Sequence, residues 1–526
     1  MPNIAKNWKI MNTTVPIHSS KYLSFRHYIW KVRANRKCLL WAGGLSIFQL
    51  LIFKYFYPYP DFISDSYSYI FGAVRNLDVN IWPIGYSKFL LLIHHITHSD
   101  IALVAIQYFF LELSALYLFF TIRYFYSLSQ TSNAILFSFL FCNPMYLYLC
   151  NLVNSDSLFA ALSLLWLSQL ILVINRPNIY QVFVQAILLF LCFTVRNTAY
   201  YYPIISAISF MLSNQKMWKK ITGIISPLLF MVPFIIHTRN ESYKITGTHQ
   251  FSLFTGWQLS NNALYGYDYM HVDTTKLPTI ESKELNVLVR EFYKHVPNNF
   301  HSVLFDYEGN YFIIHPNTPL KQYMERHYDL TDDYNIVQSW GRSSVIFSEY
   351  GKLLIKQNPL SYFKGFVLPN TTDYFLPPLN NFKLYNRGKD EIWTIAQDWF
   401  DWQTPRLTVA SKGVQRYILY IYPYLFLFLN VYILLALILL AFRKRLLKEN
   451  KSVARLLILT LSFLTVNFWF TVFVAMNIFR YQFIPMATCL VSALLLTELL
   501  EKKALSKLDN FTSQKVNHLS DSISVI

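Results

Sequence analysis

Charged residues and cysteines are both scarce in this sequence. Of its 526 residues only 14% are charged, whereas 54% are hydrophobic and 18% are aromatic. This composition excludes an ordinary soluble domain, and apolar runs of about 20 residues predict membrane-spanning helices. All five cysteines lie in or at apolar runs, which argues against a disulfide framework and a cysteine-based metal site. They are Cys38, Cys142, Cys150, Cys192 and Cys489.

Several motifs that would indicate a particular chemistry are also missing. The sequence has no glycine-rich phosphate loop, no His-Glu-x-x-His, no Gly-x-Ser-x-Gly and no internal repeat. His94, His95 and His98 suggest a metal, but no acid stands at ligand spacing, so no metal site is predicted. The first apolar run lacks a small-residue cleavage site, so we expect no cleavable signal.

The net charge of +17 is unevenly distributed along the chain. Residues 237–416 contain 18 Lys and Arg and 18 Asp and Glu, so this long polar segment is neutral. The excess lies in the first 37 residues, which contain no acid, in short linkers and at the C-terminus. Such basic flanks orient membrane helices and do not indicate a nucleic-acid partner. Both termini are therefore expected inside, and residues 237–414 outside.

Ten apolar segments are predicted to span the membrane. Residues 84–97 are also apolar, but about 14 residues is short for a span, and crossing here would place the later basic linkers outside. We interpret 84–97 as a surface or half-inserted helix. The ten spans are about 38–57, 101–122, 133–150, 156–174, 180–195, 197–212, 220–236, 415–442, 454–474 and 479–499.

The chain accordingly divides into five parts. Within the outer domain, YFIIHP (Tyr311 to Pro316) predicts a strand and Ser343 to Lys356 an amphipathic helix, so a mixed α/β domain is expected. The polar tail from about Ala504 is expected to be disordered. The parts are a basic cytoplasmic arm (1–37), a transmembrane module (38–236) with a catalytic first outer loop (58–100), an extracytoplasmic domain (237–414), C-terminal transmembrane helices (415–500) and a cytoplasmic tail (501–526).

Three aspartates lie just beyond predicted membrane boundaries on the outer side. Asp61 and Asp65 follow the first span, and Asp156 lies in the brief turn NLVNSDS. Asp is a favoured N-cap residue, so capping alone explains Asp65 and Asp156. The alternative is that these carboxylates act on a polar group carried by a lipid.

Two arginines occupy the same predicted level, where the charge rule disfavours them. Arg196 lies in FTVRNTAYYYP and Arg480 in NIFRYQFIP. Each could extend toward lipid headgroups, and each could instead bind phosphate, because a guanidinium matches phosphate oxygens in bidentate geometry. The arginines suit a substrate with an anionic lipid phosphate, and the aspartates suit a substrate with a group to be deprotonated.

Five short motifs appear in a recognisable order. Asp-Ser-x-x-Tyr (65–69) is followed by Pro-x-Gly-Tyr (83–86), then by Asn-Ser-Asp-Ser-Leu-Phe (154–159), Arg239-Asn240 and Arg480-Tyr481. This pattern resembles GT-C fold glycosyltransferases that use polyprenyl-phosphate sugars, such as protein O-mannosyltransferases and the aminoarabinose transferase of lipid A. The resemblance covers about 1–260 and, loosely, 415–500. Many relatives have Asp-Glu where this chain has Asp65-Ser66.

The resemblance implies an all-α polytopic membrane protein of GT-C type. Together with the spans and the outer domain predicted above, the expected fold has about ten transmembrane helices and one large mixed α/β extracytoplasmic domain, in which residues 265–410 match no part of the family. It implies transfer of a sugar from undecaprenyl or dolichyl phosphate to a hydroxyl of a lipid, glycan or protein acceptor, at the bacterial inner membrane or the endoplasmic reticulum. No cofactor is assigned, and a divalent metal stays open. The implied catalytic residues are Asp65 and Asp156, and the implied substrate-binding residues are Asp61, Tyr69, Arg196, Arg239, Arg480 and Tyr481.

The implied mechanism is a single displacement in which Asp65 is the general base. Arg480, with Arg196 or Arg239, stabilises the departing phosphate. Asp65, Asp156, Arg239 and Arg480 should then converge on one outer cavity. Two other functions are compatible with the sequence: a lipid-linked polysaccharide polymerase or ligase, and a secondary transporter.

Overall fold

A computed structural model describes residues 24–297, 300, 304 and 309–501. Predictions for the first part of the basic arm and for the tail from Ala504 lie outside these residues. In the described part of the chain regular structure is helical, and β-pairing is limited to two isolated bridges.

Eight helices are long and apolar enough to cross a membrane, which supports a multi-pass membrane protein. Two predicted spans are shorter: Ile179–Val195 has 17 residues, and 197–212 divides into a 3₁₀ turn (Asn197–Tyr201) and the helix Tyr202–Leu212. The eight are Arg33–Phe56, Asp100–Phe125, Gln130–Asn151, Ser155–Asn175, Met217–Thr246, Val414–Ala441, Lys451–Val474 and Phe483–Glu501.

Proline positions interrupt two of these long helices. Asn143 and Pro144 separate Gln130–Phe141 from Pro144–Asn151, and Pro227 precedes Leu228–Thr246. Proline lacks a backbone N–H and restricts the residue before it, so it begins a helix readily and disfavours continuation of the preceding one. Ser155–Asn175 is almost entirely buried and packs against Asp100–Phe125 and Ile179–Val195.

The apolar segment 84–97 contains a helix of ten residues, Gly85–His94. At 1.5 Å per residue it is about 15 Å long, roughly half the thickness of the hydrocarbon core. This length supports the interpretation that the segment does not cross the membrane. The preceding helix, Ser64–Val74, packs against it.

Residues 247–413, which we call the outer segment after their predicted side, contain helices joined by loops and one isolated bridge, between Glu391 and Arg406, in the described part. The amphipathic helix expected near 343–356 forms part of Asp333–Gln357. The helices are Thr255–Leu264, Ile280–Lys294, Tyr311–Ile314, Pro319–His327, Asp333–Gln357, Pro359–Tyr362, Leu368–Phe375 and Thr394–Trp399.

The prediction of a strand at Tyr311 to Pro316 was wrong. Residues Tyr311–Ile314 form a single helical turn, in which Tyr311, Phe312 and Ile313 are buried. A short apolar run is compatible with either a buried strand or a buried helical turn. A strand also needs a hydrogen-bonding neighbour, and the described part of the outer segment offers none.

The outer segment supplies hydrogen-bond donors to the C-terminal end of the helix Lys451–Val474. The Asn370 amide donates to the carbonyls of Thr471, Val472 and Ala475 at 3.1, 3.0 and 2.6 Å. Asn262 donates to the Val474 carbonyl at 3.0 Å. The last carbonyls of a helix have no partner within it, so these amides satisfy groups that would otherwise be buried without one.

Candidate functional site

The loop after the first long helix pairs with the turn that carries Asp156. The Asp61 N–H donates to the Asn151 carbonyl at 2.8 Å, and the Val153 N–H donates to the Asp61 carbonyl at 3.0 Å. This backbone pairing sets the starts of two helices side by side. Asp65 lies in the first turn of Ser64–Val74 and Asp156 in the first turn of Ser155–Asn175, where the helix dipole favours negative charge.

Arg480 connects these two carboxylates. Its Nη1 donates to Asp156 Oδ2 at 2.7 Å, and its Nη2 donates to Asp65 Oδ2 at 3.2 Å. Arg196 forms a second ion pair with Asp156 Oδ1. The side chains of Asp156 and Arg480 are only 2% and 7% exposed, so each charge depends on its partners for stabilisation. We call these four residues the charge network; its formal net charge is zero.

Tyr481 lies between the two arginines of the charge network. Its ring centroid is 4.1 Å from the Arg196 guanidinium carbon and 4.8 Å from that of Arg480. A cation over an aromatic face is attracted by the ring quadrupole, more strongly where water is excluded. Tyr481 therefore holds two like charges close together, in an arrangement suited to one anionic group.

A cavity of about 340 Å³ adjoins the charge network. Among the described residues, Asp65, Arg196 and Arg480 are its charged lining residues. One side is apolar, with Phe470, Val474, Ala475, Met476 and Leu259, and two of its lining residues, Val474 and Tyr200, are also exposed at the protein surface. Asp156 lies behind the lining, bonded to both arginines.

A chain of hydrogen bonds leads from Tyr69 to Asp65. The Tyr69 hydroxyl donates to Ser155 Oγ at 2.9 Å, and Ser155 donates to Asn154 Oδ1 at 3.1 Å. The Asn154 amide contacts Asp65 Oδ2 at 3.5 Å. All four residues line the cavity. Thus both arginine and amide contacts fall on Oδ2, and the Asp65 side chain retains 21% of its exposure.

Arg239 does not join this site, contrary to the expectation that it would converge with Asp65, Asp156 and Arg480. It is exposed, and it is not part of the cavity lining in the described structure. The helix Met217–Thr246 continues past the predicted boundary, and its buried positions here are Thr238, Ser242 and Thr246. Arg239 belongs to the exposed face of that helix.

Asp61 also lies outside the cavity lining, although it was assigned to substrate binding. Its side chain is buried, and Oδ1 accepts the Asn386 N–H at 2.7 Å. Burial raises the pKa of Asp61 to about 7, against the opposing effect of hydrogen bonds from the Asn386 and Phe62 N–H groups. Asp61 therefore joins the first loop to the outer segment.

Several lining residues were not identified from the sequence. Asn154 and Ser155 could have been, because they precede Asp156 in the same turn. Gln258 lies in Gly256-Trp257-Gln258-Leu259, a stretch that resembles the one following the Arg-Asn motif in the family, but no role was assigned to it. Phe470 carries no comparable sequence signal, since its helix reaches the cavity only through tertiary packing. The histidines form no metal site in the described chain: His94 stacks on His98 and on Trp399, and no group of three or more metal-binding side chains occurs there.

No model of a protein family, no curated protein and no solved structure matches this chain. The functional argument therefore depends on the site itself.

Proposed function

We propose that this protein is a membrane glycosyltransferase that moves a sugar from a polyprenyl phosphate to an acceptor hydroxyl. One observation carries the proposal. A partly exposed carboxylate, Asp65, shares a cavity with two arginines that are held around Tyr481. A base and a phosphate-binding pair in one cavity are the groups that this displacement needs.

At the anomeric carbon the reaction forms one bond and breaks one, and a proton is transferred from the acceptor. The acceptor oxygen attacks the anomeric carbon of the sugar, and the bond from that carbon to the phosphate oxygen breaks with its electron pair on oxygen. The acceptor proton passes to Asp65. The lipid phosphate gains one negative charge, which Arg196 and Arg480 stabilise because guanidinium groups bind phosphate oxygens in bidentate geometry.

Substrate binding would change the partners of Arg480. A phosphate bound at its Nη2 would replace Asp65, whose contact at 3.2 Å is the longer of the two that Arg480 makes. The contact with Asp156 would remain and keep the guanidinium in place. Asp65 would then be free to accept the proton of the acceptor.

The lipid chain needs an apolar route from the cavity to the membrane. Removing a polyprenyl chain from the bilayer costs about 0.8 kcal/mol for each CH₂, so the chain must remain among apolar surfaces. Val474 and Tyr200 belong both to the cavity lining and to the exposed apolar surface. The volume of about 340 Å³ is within the range of small-molecule sites, about 300–1,000 Å³.

An Asp65→Asn variant tests the proposal. Cells with wild-type protein, with the variant and without the protein are compared by mass spectrometry of their glycolipids and glycoproteins. We expect one glycan modification to be absent in the last two, because loss of a general base reduces the rate about 10²- to 10⁴-fold. The control is Asp78→Asn, which removes an exposed carboxylate paired with Lys88.

Two outcomes would contradict the proposal. If the folded Asp65→Asn variant restores the modification at the wild-type level, Asp65 is not the base. If no covalent modification depends on the protein, a secondary transporter becomes the better explanation. Thermal melting of both variants shows whether the fold is retained.

A further inference from the structure

A second side of the cavity is formed by the outer segment. The helix Thr255–Leu264 and the residues before it contribute Ser252, Phe254, Thr255 and Gln258. None of these side chains is charged. This side, which we call the polar wall, therefore differs in chemistry from the charge network.

The polar wall presents hydrogen-bonding groups that suit hydroxyls. Gln258 Nε2 donates to Asn262 Oδ1 at 2.6 Å, so its Oε1 is the group left to accept a bond from a ligand. Ser252 Oγ accepts the Asn197 amide at 3.4 Å and the Phe254 N–H at 3.3 Å, which leaves its own hydrogen to donate. Thr255 is exposed and lines the cavity. Acceptors and donors thus lie within one short stretch.

Aromatic rings stand beside these polar groups. The rings of Trp82 and Phe254, which both line the cavity, have centroids 4.6 Å apart. Phe254 stacks on Trp340, and Trp340 stacks on Trp257 at 4.1 Å. The ammonium of Lys321 lies over Trp340 and Trp257 at 4.5 and 5.1 Å. This stack supports Phe254 from behind and offers the cavity a fixed apolar face.

A pyranose ring combines an apolar C–H face with hydroxyls around its edge. Aromatic rings beside uncharged donors and acceptors match both parts. A charged sugar would bring a cation or an anion into contact with the wall, and burying a charge without a partner is costly. The charged lining residues in the described chain are Asp65, Arg196 and Arg480. In the proposed reaction the two arginines bind the phosphate and Asp65 accepts the proton of the acceptor, so none of them is left to pair with a charged sugar.

We infer that the polar wall is the sugar subsite and that it selects an uncharged sugar. The inference rests on the proposed function, since it assigns the phosphate of the same donor to Arg196 and Arg480. It adds the class of sugar and the residues that recognise it. Gln258 and Thr255 are specificity-determining residues under this assignment.

Binding measurements on the purified full chain separate the two proposals. The probes are a short prenyl phosphate, the same prenyl phosphate carrying a hexose, and versions carrying an amino sugar or a uronic acid. Tryptophan fluorescence reports binding because Trp82 lines the cavity. For wild type we expect the hexose to strengthen binding about tenfold over prenyl phosphate, and neither charged sugar to do so.

Two variants test the wall, and a third is the control. Gln258→Leu and Thr255→Val remove polar groups with little change in size, and each should reduce the gain from the hexose by roughly three- to tenfold while binding of prenyl phosphate stays unchanged. Gln322→Leu, at a residue that bonds the Asn317 carbonyl and does not line the cavity, should behave as wild type. Thr255→Val keeps the test valid if Gln258→Leu fails to fold, since the Thr255 side chain is exposed and has no hydrogen bond to another described residue.

The outcomes distinguish the two proposals. If prenyl phosphate itself does not bind, the proposed function is overturned and the sugar subsite with it. If prenyl phosphate binds but a charged sugar binds as tightly as the hexose, the inferred selectivity is wrong. If both wall variants weaken prenyl phosphate as much as its hexose derivative, the wall is structural and the assignment is wrong.

Discussion

Arg480 is the residue on which the candidate site depends most directly. It donates to Asp65 and Asp156, which begin two different helices, and it stacks with Tyr481. Two carboxylate partners stabilise this buried guanidinium, whereas a buried guanidinium without partners would be strongly destabilising. The charge network therefore has both a structural part, centred on Asp156, and a part that faces the cavity, at Asp65.

The structural part predicts a large effect of Asp156→Ala. The substitution leaves the buried Arg480 and Arg196 without their shared partner, so we expect a loss of about 3–5 kcal/mol in the free energy of unfolding. Unfolding in denaturant, followed by fluorescence in detergent, measures it. The matched control Asp78→Ala breaks an exposed pair and should cost about 1 kcal/mol or less. Equal losses in the two variants would show that the network contributes no special stability.

Asp61 predicts a pH dependence of a definite sign. Its pKa is about 7 in the folded protein against an ordinary 3.8, so the folded state holds an extra proton between these values. The contribution of Asp61 to the free energy of unfolding is therefore fully present below about pH 4 and is lost as the pH rises through 7. At 1.36 kcal/mol for each pKa unit, this contribution is at most ~4 kcal/mol.

Asp61→Asn isolates this effect. The amide oxygen can still accept the Asn386 N–H, but the side chain cannot ionise. We expect the melting temperature of the variant to exceed that of wild type increasingly between pH 5 and pH 8. Asp61→Ala, which loses the bond to Asn386, should be less stable than Asp61→Asn at every pH. A difference between Asp61→Asn and wild type that does not change with pH would contradict the raised pKa.

At the scale of elements, the polar wall depends on close packing between two helices of the outer segment. Thr255–Leu264 lies against Asp333–Gln357, and a glycine stands on each helix at the contact. A Cβ on Gly256 would lie 1.7 Å from the Ser344 carbonyl oxygen. A Cβ on Gly351 would lie 2.7 Å from backbone atoms of Leu259 and Ser260. Only glycine permits this approach without movement of backbone.

Gly256→Ala should therefore destabilise the protein and displace the polar wall. We expect a loss of about 1–3 kcal/mol from overpacking, together with weaker ligand binding, because Gln258 lies on the same helix. Gly44→Ala is the control: no atom lies within 4 Å of its Cβ, and alanine is the better helix former by ~1 kcal/mol. Melting temperatures of the two variants should move in opposite directions. A stable Gly256→Ala protein would show that the helices separate at little cost.

At the scale of the whole molecule, the charge network and the outer segment lie at the same end of the helices. Asp65 follows the first long helix, Asp156 begins Ser155–Asn175, and Arg480 precedes Phe483–Glu501. The outer segment joins this end through Asn370 and through the Ala410 N–H, which donates to the Phe56 carbonyl at 3.0 Å. The charge distribution predicts that this end faces outside.

Cysteine labelling tests that orientation. In a Cys142→Ser background, which lacks the exposed native thiol, Lys352→Cys and Lys448→Cys each introduce one exposed cysteine. An impermeant maleimide added to intact cells should label residue 352, because basic linkers such as 443–455 are kept inside. Residue 448 should react only after the membrane is permeabilised. Labelling of residue 448 in intact cells would reverse the orientation.

The sequence by itself determined the membrane class and most of the helices, because apolar runs and basic linkers are local properties that need no knowledge of packing. It also indicated Asp65, Asp156, Arg196 and Arg480, since charges at a membrane boundary require partners. These four residues are far apart in the sequence, and they form one network because the ends of their helices lie next to each other in the fold.

Other features were decided only by tertiary structure. Arg239 is exposed because its helix runs on to Thr246, and Asp61 is buried because Asn386, more than 300 residues later in the chain, supplies its hydrogen bond. YFIIHP became a helical turn because no strand lies beside it. In each case the outcome depends on which distant segment packs against the residue, and local hydrophobicity and charge carry no information about that neighbour.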